Sequence, residues 1–258
     1  MFEARLNQGA VLKKLVDAVR DIVSEGNFDC NENGLALQAM DSAHVALVAM
    51  LLRPDAFEPY RCDRNMSLGI SLKSLGTILR CASNDDIITL RAEDTADQLA
   101  LTFESPQSDK VSEYVLNLMD IDSEHLGIPD TSYDTVIHMS SAEFQRICRD
   151  LQQLSDSVTI DASKEGIKFT ATGQLGSGQV MLRQNMNVDR EEDATVIEMQ
   201  QPVQLTFAVK YLSMFAKTTP LCNRVTLCLS KDVPLLLEYK IDEIGYIRYY
   251  LAPKVDSE

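Results

Sequence analysis

Long apolar runs are missing from this chain. No stretch of ~18 consecutive apolar residues occurs, so no helical membrane span is expected. The opening Met1-Phe-Glu-Ala-Arg5 lacks the basic-then-apolar order of a secretory signal. Cysteine is thinly spread. Cys30, Cys62, Cys81, Cys148, Cys222 and Cys228 show no Cys-x-x-Cys pairing and sit in apolar or strand-like settings, which predicts reduced thiols in an intracellular protein rather than a disulfide framework. Histidine is limited to His44, His125 and His138, too far apart for metal-ligand spacing. No Gly-x-x-x-x-Gly-Lys-Ser/Thr loop and no Gly-x-Ser-x-Gly elbow is present. Gly173-Gln-Leu-Gly176-Ser-Gly178 is glycine-rich but misspaced for a dinucleotide, and reads as a turn leading into a strand at 179–183. Acidic residues are plentiful, yet nothing marks a catalytic carboxylate pair.

Basic residues are also in the minority, with 24 Lys+Arg against 39 Asp+Glu and a net charge of -15. Taken alone, that balance speaks against a protein that simply coats DNA. Hydrophobic residues make up 45% of the 258 and charged residues 24%, enough for a real core and incompatible with compositional disorder. The length fits one large domain or two ordinary ones.

An internal repeat favours two. Four segments carry apolar residues at 3- and 4-residue spacing: Gly9 to Val23, Leu72 to Cys81, Ser141 to Leu154 and Val209 to Lys217. Ser140 or Ser141 is placed to cap the third, with Glu143 in its first turn. Between them, 27–31 and 35–40 alternate around Asn33-Gly34, a hairpin signal in which both positions tolerate positive φ. The runs 157–161 and 167–171 alternate around Glu165-Gly166 in the same way. Further strands are expected at 87–92, 98–104, 111–119, 203–207, 224–229, 235–241 and 246–251. Each half thus reads helix, hairpin, further strands, helix, then two or three strands. Gly34 and Gly166 stand 132 apart, and Lys73 and Arg80 stand 137 before Lys210 and Lys217. An α+β protein of two similar domains follows, spanning 1–119 and 135–258. The connector is 120–134, with Gly127, Pro129 and the acids Asp120, Asp122, Glu124, Asp130 and Asp134.

Charge is not spread evenly over this repeat. The four helical segments hold nine bases (Lys13, Lys14, Arg20, Lys73, Arg80, Arg146, Arg149, Lys210 and Lys217) and four acids (Asp17, Asp21, Glu143 and Asp150). They carry +5, and the remainder of the chain carries -20. Lys13 and Arg20, Lys73 and Arg80, and Lys210 and Lys217 are each two helical turns apart. Helical Lys/Arg without interleaved aromatics points to phosphate contact rather than base reading. Solvated faces of amphipathic helices are the competing explanation. Positive charge on one lining and negative charge elsewhere suits a sleeve that slides on DNA.

Several blocks resemble the eukaryotic proliferating cell nuclear antigens, a family of sliding DNA clamps. They are Gly34-Leu-Ala-Leu-Gln-Ala-Met-Asp-Ser-Ala-His-Val-Ala-Leu-Val48, the stretch from Arg61-Cys-Asp-Arg64 through Ile78-Leu-Arg80, Ile87-Ile-Thr-Leu-Arg-Ala-Glu-Asp94, Gln204-Leu-Thr-Phe-Ala208 and Tyr249-Tyr-Leu-Ala-Pro-Lys254. The resemblance covers essentially the whole chain. It implies a closed head-to-tail homotrimer with helices lining a central channel and antiparallel sheets outside. The clamp would hold replicative DNA polymerase (delta) on its template and act as a docking platform for replication, repair and translesion synthesis in the nucleus. Such a clamp has no enzymatic activity, cofactor, metal or membrane partner. A subunit of a heterotrimeric, checkpoint-type ring is the alternative.

The resemblance also implies sites. Facing duplex DNA would be the nine helical bases with Lys110, joined by Arg61 and Arg64. Family clamps often carry lysine where this chain has Thr77; Lys73, one turn earlier, offers charge instead. The seam would pair a strand near 111–118 with one near 175–183 of the next subunit, using Cys81, Tyr114, Leu151, Leu154 and Gly178. Partners carrying a short motif of one aliphatic and two aromatic anchors would dock on Met40, His44, Val45, Leu47, Leu126, Gly127, Ile128, Pro234, Tyr250, Ala252 and Pro253. Core packing is the competing reading for the seam residues and for Val45, Leu47 and Tyr250. Expected partners are an ATP-driven clamp loader, DNA polymerases, flap endonuclease, DNA ligase and ubiquitin or SUMO conjugation enzymes acting at Lys164. The family's other SUMO lysine is absent here, replaced by Gly127.

Overall fold

Alternation begins at the first residues. Phe2, Ala4 and Leu6 are buried while Glu3 and Arg5 are half-buried, which makes Phe2–Leu6 strand β1. The computed structural model describes residues 1–95, 97–107, 109–122, 126–128, 131–186 and 189–255. After β1 come helix α1 (Gly9–Val19), β2 (Glu25–Asn31), β3 (Gly34–Met40), β4 (Ala46–Leu52), β5 (Tyr60–Cys62) and β6 (Met66–Ser71). Helix α2 (Leu72–Leu79) and strands β7 (Ile87–Ala92), β8 (Gln98–Glu104) and β9 (Val111–Asn117) complete the first half.

The second half repeats this order element for element. It runs β10 (Thr135–Ser140), α3 (Ser141–Gln152), β11 (Ser157–Ser163), β12 (Gly166–Gly173), β13 (Gly176–Leu182), β14 (Val196–Met199) and β15 (Val203–Ala208). Then follow α4 (Val209–Phe215), β16 (Arg224–Leu229), β17 (Leu235–Ile241) and β18 (Gly245–Leu251). Hydrogen bonding follows the repeat as well. The first half has the runs β5-β1-β7-β8-β9 and β4-β3-β2-β6, and the second has β14-β10-β16-β17-β18 and β13-β12-β11-β15. Position for position these are the same two sheets. The chain divides into two compact units, one of Met1–Ser42, Val48–Leu126 and Ile241–Ile247, the other of Ala43–Leu47, Gly127–Lys240 and Arg248–Glu258.

Each helix buries the stripe its spacing foretells. Leu12, Leu15, Val16 and Val19 of α1, Leu75 and Leu79 of α2, Phe144, Ile147, Cys148 and Leu151 of α3, and Leu212 and Phe215 of α4 are all buried. Helix α1 packs on α2, and α3 on α4. Ser140 is the cap of α3, its hydroxyl accepting from the Glu143 N–H at 3.4 Å; Ser71 does the same for α2 through Ser74 at 3.3 Å.

Several boundaries differ from the sequence expectation. All four helices end earlier, because Arg20, Arg80, Gln153 and Ala216 are caps that keep helical dihedrals before the chain turns. Ile22 and Val23, which the apolar spacing places in the first helix, are buried just beyond it. Lys217 lies in a 3₁₀ segment, Ala216–Leu221. The hairpin turns are shifted by one. Asn31 pairs with Gly34, so Glu32-Asn33 form the turn, and Gly34 alone takes a positive φ of 120°. A side chain at Gly34 would strike the Leu52 carbonyl at 2.1 Å. Strand β13 starts at Gly176 rather than 179, since Gly173 pairs with Gly176 around Gln174-Leu175. Strand β9 stops at Asn117, with Met119 bridged singly to Gly69. Each half opens on a strand, β1 or β10, rather than on the helix with which the sequence pattern begins. Of the connector, Glu124, Pro129 and Asp130 lie outside the described residues, as does His125.

Candidate functional site

The expected DNA-facing cations fall into two groups. Lys14, Lys73, Arg80, Arg146, Arg149, Lys210 and Lys217 are exposed on or just beyond the four helices. Arg146 and Arg149 lie 3.8 Å from Glu143 and 3.3 Å from Asp150, yet both side chains remain about two-thirds exposed, at 64% and 69%. Exposed pairs of this kind bind weakly and leave both charges available to a polyanion. Lys210 sits 4.9 Å from the centroid of the Tyr211 ring, which braces it without neutralising it.

Lys13 and Arg20 are different. Lys13 Nζ donates to the Ala82 carbonyl and, at 3.2 Å, to Asn84 Oδ1. Arg20 is only 20% exposed and pairs with Asp17 at 3.1 Å. Its side chain crosses onto α2, where a side-chain carbon at Gly76 would come within 2.9 Å of Nη1. Arg20 Nε is buried without a hydrogen-bond partner among the described residues. Both residues therefore tie α1 to neighbouring chain, and only part of their charge is presented outward. Apart from the Arg20–Asp17 pair, the sequence pattern held no sign of this, because the groups that tie them to neighbouring chain are 56 to 71 residues away. Lys110 is exposed in the turn between β8 and β9. Arg61 and Arg64 lie on and beside β5 rather than on a helix, and are engaged by Asp63 at 2.8 Å and by the Asp94 carbonyl at 2.7 Å. The hydrogen bond from Arg61 holds the Asp63 carboxyl below its usual range.

The residues expected at the seam form two clusters, each beside a sheet edge. Cys81 donates to the Thr77 carbonyl at the end of α2, and its thiol is the hydrogen-bond neighbour that raises the Tyr114 hydroxyl above its usual pKa. Tyr114 lies on β9, with its ring 5.2 Å from Phe103. Two valines on that strand, Val111 and Val115, are each 57% exposed. In the other cluster Leu151 and Leu154 cover Gly178 of β13, where a side chain would meet Leu154 Cδ1 at 2.7 Å. Leu175, in the turn before β13, is 84% exposed. Both β9 and β13 end their sheets, and the exposed valines of β9 and Leu175 before β13 leave apolar surface at or beside these edges.

The docking residues are likewise partly assembled. Val45 and Ala252 meet directly, the Ala252 N–H donating to the Val45 carbonyl at 3.1 Å. His44, at φ 56°, is exposed beside them, and Pro253 is half-buried, as are Val45, Leu47 and Tyr250, which sets aside full core burial for those last three. Met40 is half-buried at the end of β3, while Pro234, Leu126, Gly127 and Ile128 are exposed. Two neighbours had no sequence signal as site residues. Tyr133 is pushed up to about 12, by burial first and then by nearby Tyr250. Lys254 anchors the segment after β18, its N–H donating to the Thr206 carbonyl at 2.7 Å and its Nζ to Ser157 Oγ. Lys164 is exposed in the turn between β11 and β12, beside Glu165, whose N–H donates to Ser163 Oγ at 3.3 Å. No group of three or more His, Cys, Asp or Glu positioned to hold a metal occurs among the described residues.

Comparison with known families gives two matches in tandem. Residues 1–125 match the model for the proliferating cell nuclear antigen N-terminal domain, and residues 127–254 match that for its C-terminal domain. Between them they take in both halves of the structural repeat, so this chain belongs to the proliferating cell nuclear antigen family of DNA sliding clamps.

Proposed function

We propose that the protein works as a closed homotrimeric ring, each chain pairing β9 with β13 of the next copy, around duplex DNA. The observation that carries this reading is the placement of charge. Seven exposed cations lie on or just beyond four short helices of a chain whose net charge is -15. A duplex threaded past those helices meets positive charge, while the rest of the chain is net negative and disfavours it. Contacts made only to phosphates are weak and indifferent to sequence, so the ring slides. Encirclement makes escape slow without requiring tight binding. Exposed Val111 and Val115 on one edge and Leu175 near the other support the seam.

The protein is then a scaffold without catalytic activity, acting in the nucleus. Its exposed Leu126 and Ile128, with Val45, Tyr250 and Ala252, form the apolar groove for partner motifs borne by polymerase delta and other DNA polymerases, flap endonuclease and ligase. Lys164 is the site for ubiquitin or SUMO. A clamp loader opens the ring. The test is twofold. A solution mass near three times 28.8 kDa is expected for the isolated protein, and loaded protein is retained on circular DNA but lost from linear DNA. A monomer that needs other subunits to form a ring would favour the heterotrimeric alternative, and equal loss from both DNAs would end the topological mechanism.

A further inference from the structure

Two side-chain amides grip the chain that leaves β9. Asn27, on β2 and only 8% exposed, donates from Nδ2 to the Ile121 carbonyl at 3.0 Å. Gln38, on β3, donates from Nε2 to the Leu126 carbonyl at 2.8 Å. The register of β2 and β3 pairs Phe28 with Leu37, and its next step sets Asn27 opposite Gln38. Cross-strand partners share a face, so the amides form one paired device. It holds the connector at two carbonyls five residues apart. The Met119 N–H bonded to the Gly69 carbonyl at 2.8 Å fixes the same segment upstream.

We infer that Gln38 is a positioning residue for partner binding: through the Leu126 carbonyl it sets where Leu126 and Ile128 present their side chains to an incoming peptide. This rests on the docking groove proposed above. The physical argument is one of preorganisation. Leu126 and Ile128 are exposed, at 41% and 39%, so little packing of their own holds them. An exposed apolar pair on an untethered strap must be ordered when the ligand arrives, which weakens binding. A hydrogen bond from a strand-borne amide removes that cost beforehand. Gln38 itself need not touch the ligand.

The experiment uses the full chain and a fluorescent synthetic peptide with one aliphatic and two aromatic anchors. Peptide affinity is read by anisotropy, and amide exchange is read at 119–122 and 126–128. Gln38→Leu keeps the side chain's bulk and loses the donor; Gln38→Glu keeps its shape and presents only acceptors to the carbonyl. Each should weaken the peptide about three- to ten-fold, the range expected when one hydrogen bond is removed, and should speed exchange in the connector. Ile128→Ala tests the groove separately. If Ile128→Ala leaves affinity unchanged, the groove assignment falls and the role of Gln38 falls with it. If Ile128→Ala weakens binding and both Gln38 variants do not, the groove stands and the positioning role is overturned. Weakened binding with connector exchange unchanged would mean that Gln38 contacts the peptide directly, which also overturns it.

Discussion

Removing one oxygen from either of two neighbouring tyrosines should shift stability in opposite directions. Tyr239 on β17 and Tyr249 on β18 are both fully buried, their rings packed edge to face at 6.1 Å. Burial pushes both hydroxyls well above their usual pKa, so each is a neutral O–H. Tyr249 shares a hydrogen bond with Thr218 Oγ1, itself wholly buried. Tyr239 Oη has no partner among the described residues. A buried hydroxyl without a hydrogen bond costs about 1–3 kcal/mol, so Tyr239→Phe should stabilise the protein by about 1 kcal/mol while keeping the ring contacts. Tyr249→Phe leaves Thr218 buried and unpaired and should cost about 1–3 kcal/mol. It retains the stacking on Phe215 at 4.4 Å, so the loss reports the hydrogen bond. The assay is urea unfolding of wild type and both variants at one protein concentration, comparing midpoints at unchanged m. If Tyr239→Phe lowers the midpoint, its hydroxyl is satisfied, by an internal water for example, and the reasoning from an orphaned group is wrong.

Three other outcomes can be checked. Replacing Arg80, Arg149, Lys210 and Lys217 together with Ala should flatten the dependence of duplex binding on salt, by about 0.9 in log–log slope for each phosphate that is no longer neutralised; an unchanged slope removes these residues from the interface. Arg20 is left out of that set because its substitution would also disturb the packing on Gly76. Gly69→Ala would put a carbon 1.9 Å from the Met119 carbonyl oxygen, so a loss of about 1–3 kcal/mol and faster exchange at Met119 are expected, and a variant indistinguishable from wild type by both measures would refute this. His138, hydrogen-bonded to Thr226 at 2.9 Å, is held below its usual pKa by burial, a shift that Glu198 and Glu238 oppose and Arg224 and Lys240 reinforce. Below about pH 6.5 the unfolded chain therefore takes up the proton first, and stability falls until the folded-state pKa is passed. Urea midpoints of wild type and His138→Gln from about pH 7 to about pH 5 should converge as the pH drops; parallel curves would refute the assignment.

Which of these features the residues announce depends on the range of the interaction behind them. The amphipathic helices and most strands follow from local period, and the cations of the candidate interface from residue type and spacing. Helix ends escape a reading of period because none carries the glycine stop that marks a left-handed cap, and buried Ile22 and Val23 continue the apolar pattern past the end of α1. Strand β4, Ala-Leu-Val-Ala-Met-Leu-Leu, hides its alternation in a continuous apolar run. Strand β13 opens with Gly-Ser-Gly, which resembles a loop. Interactions between distant residues leave no trace in local sequence. Lys13 reaching Ala82, Arg20 lying on Gly76 and Gln38 holding Leu126 are matters of tertiary placement.

The hydrogen bonds beyond β9 and β18 carry a historical consequence. Met119 donates to Gly69 next to β9, and Lys254 donates to Thr206 next to β18. Gly69 and Thr206 are 137 residues apart, the same interval that separates β7 from β16 and β8 from β17. The first half thus closes on the same strand, at the same place, as the second. Two copies of one ancestral unit would leave this signature, each held on the equivalent strand just past its last strand. The two halves, alike in architecture, are thus tied off by the same device even where their side chains differ.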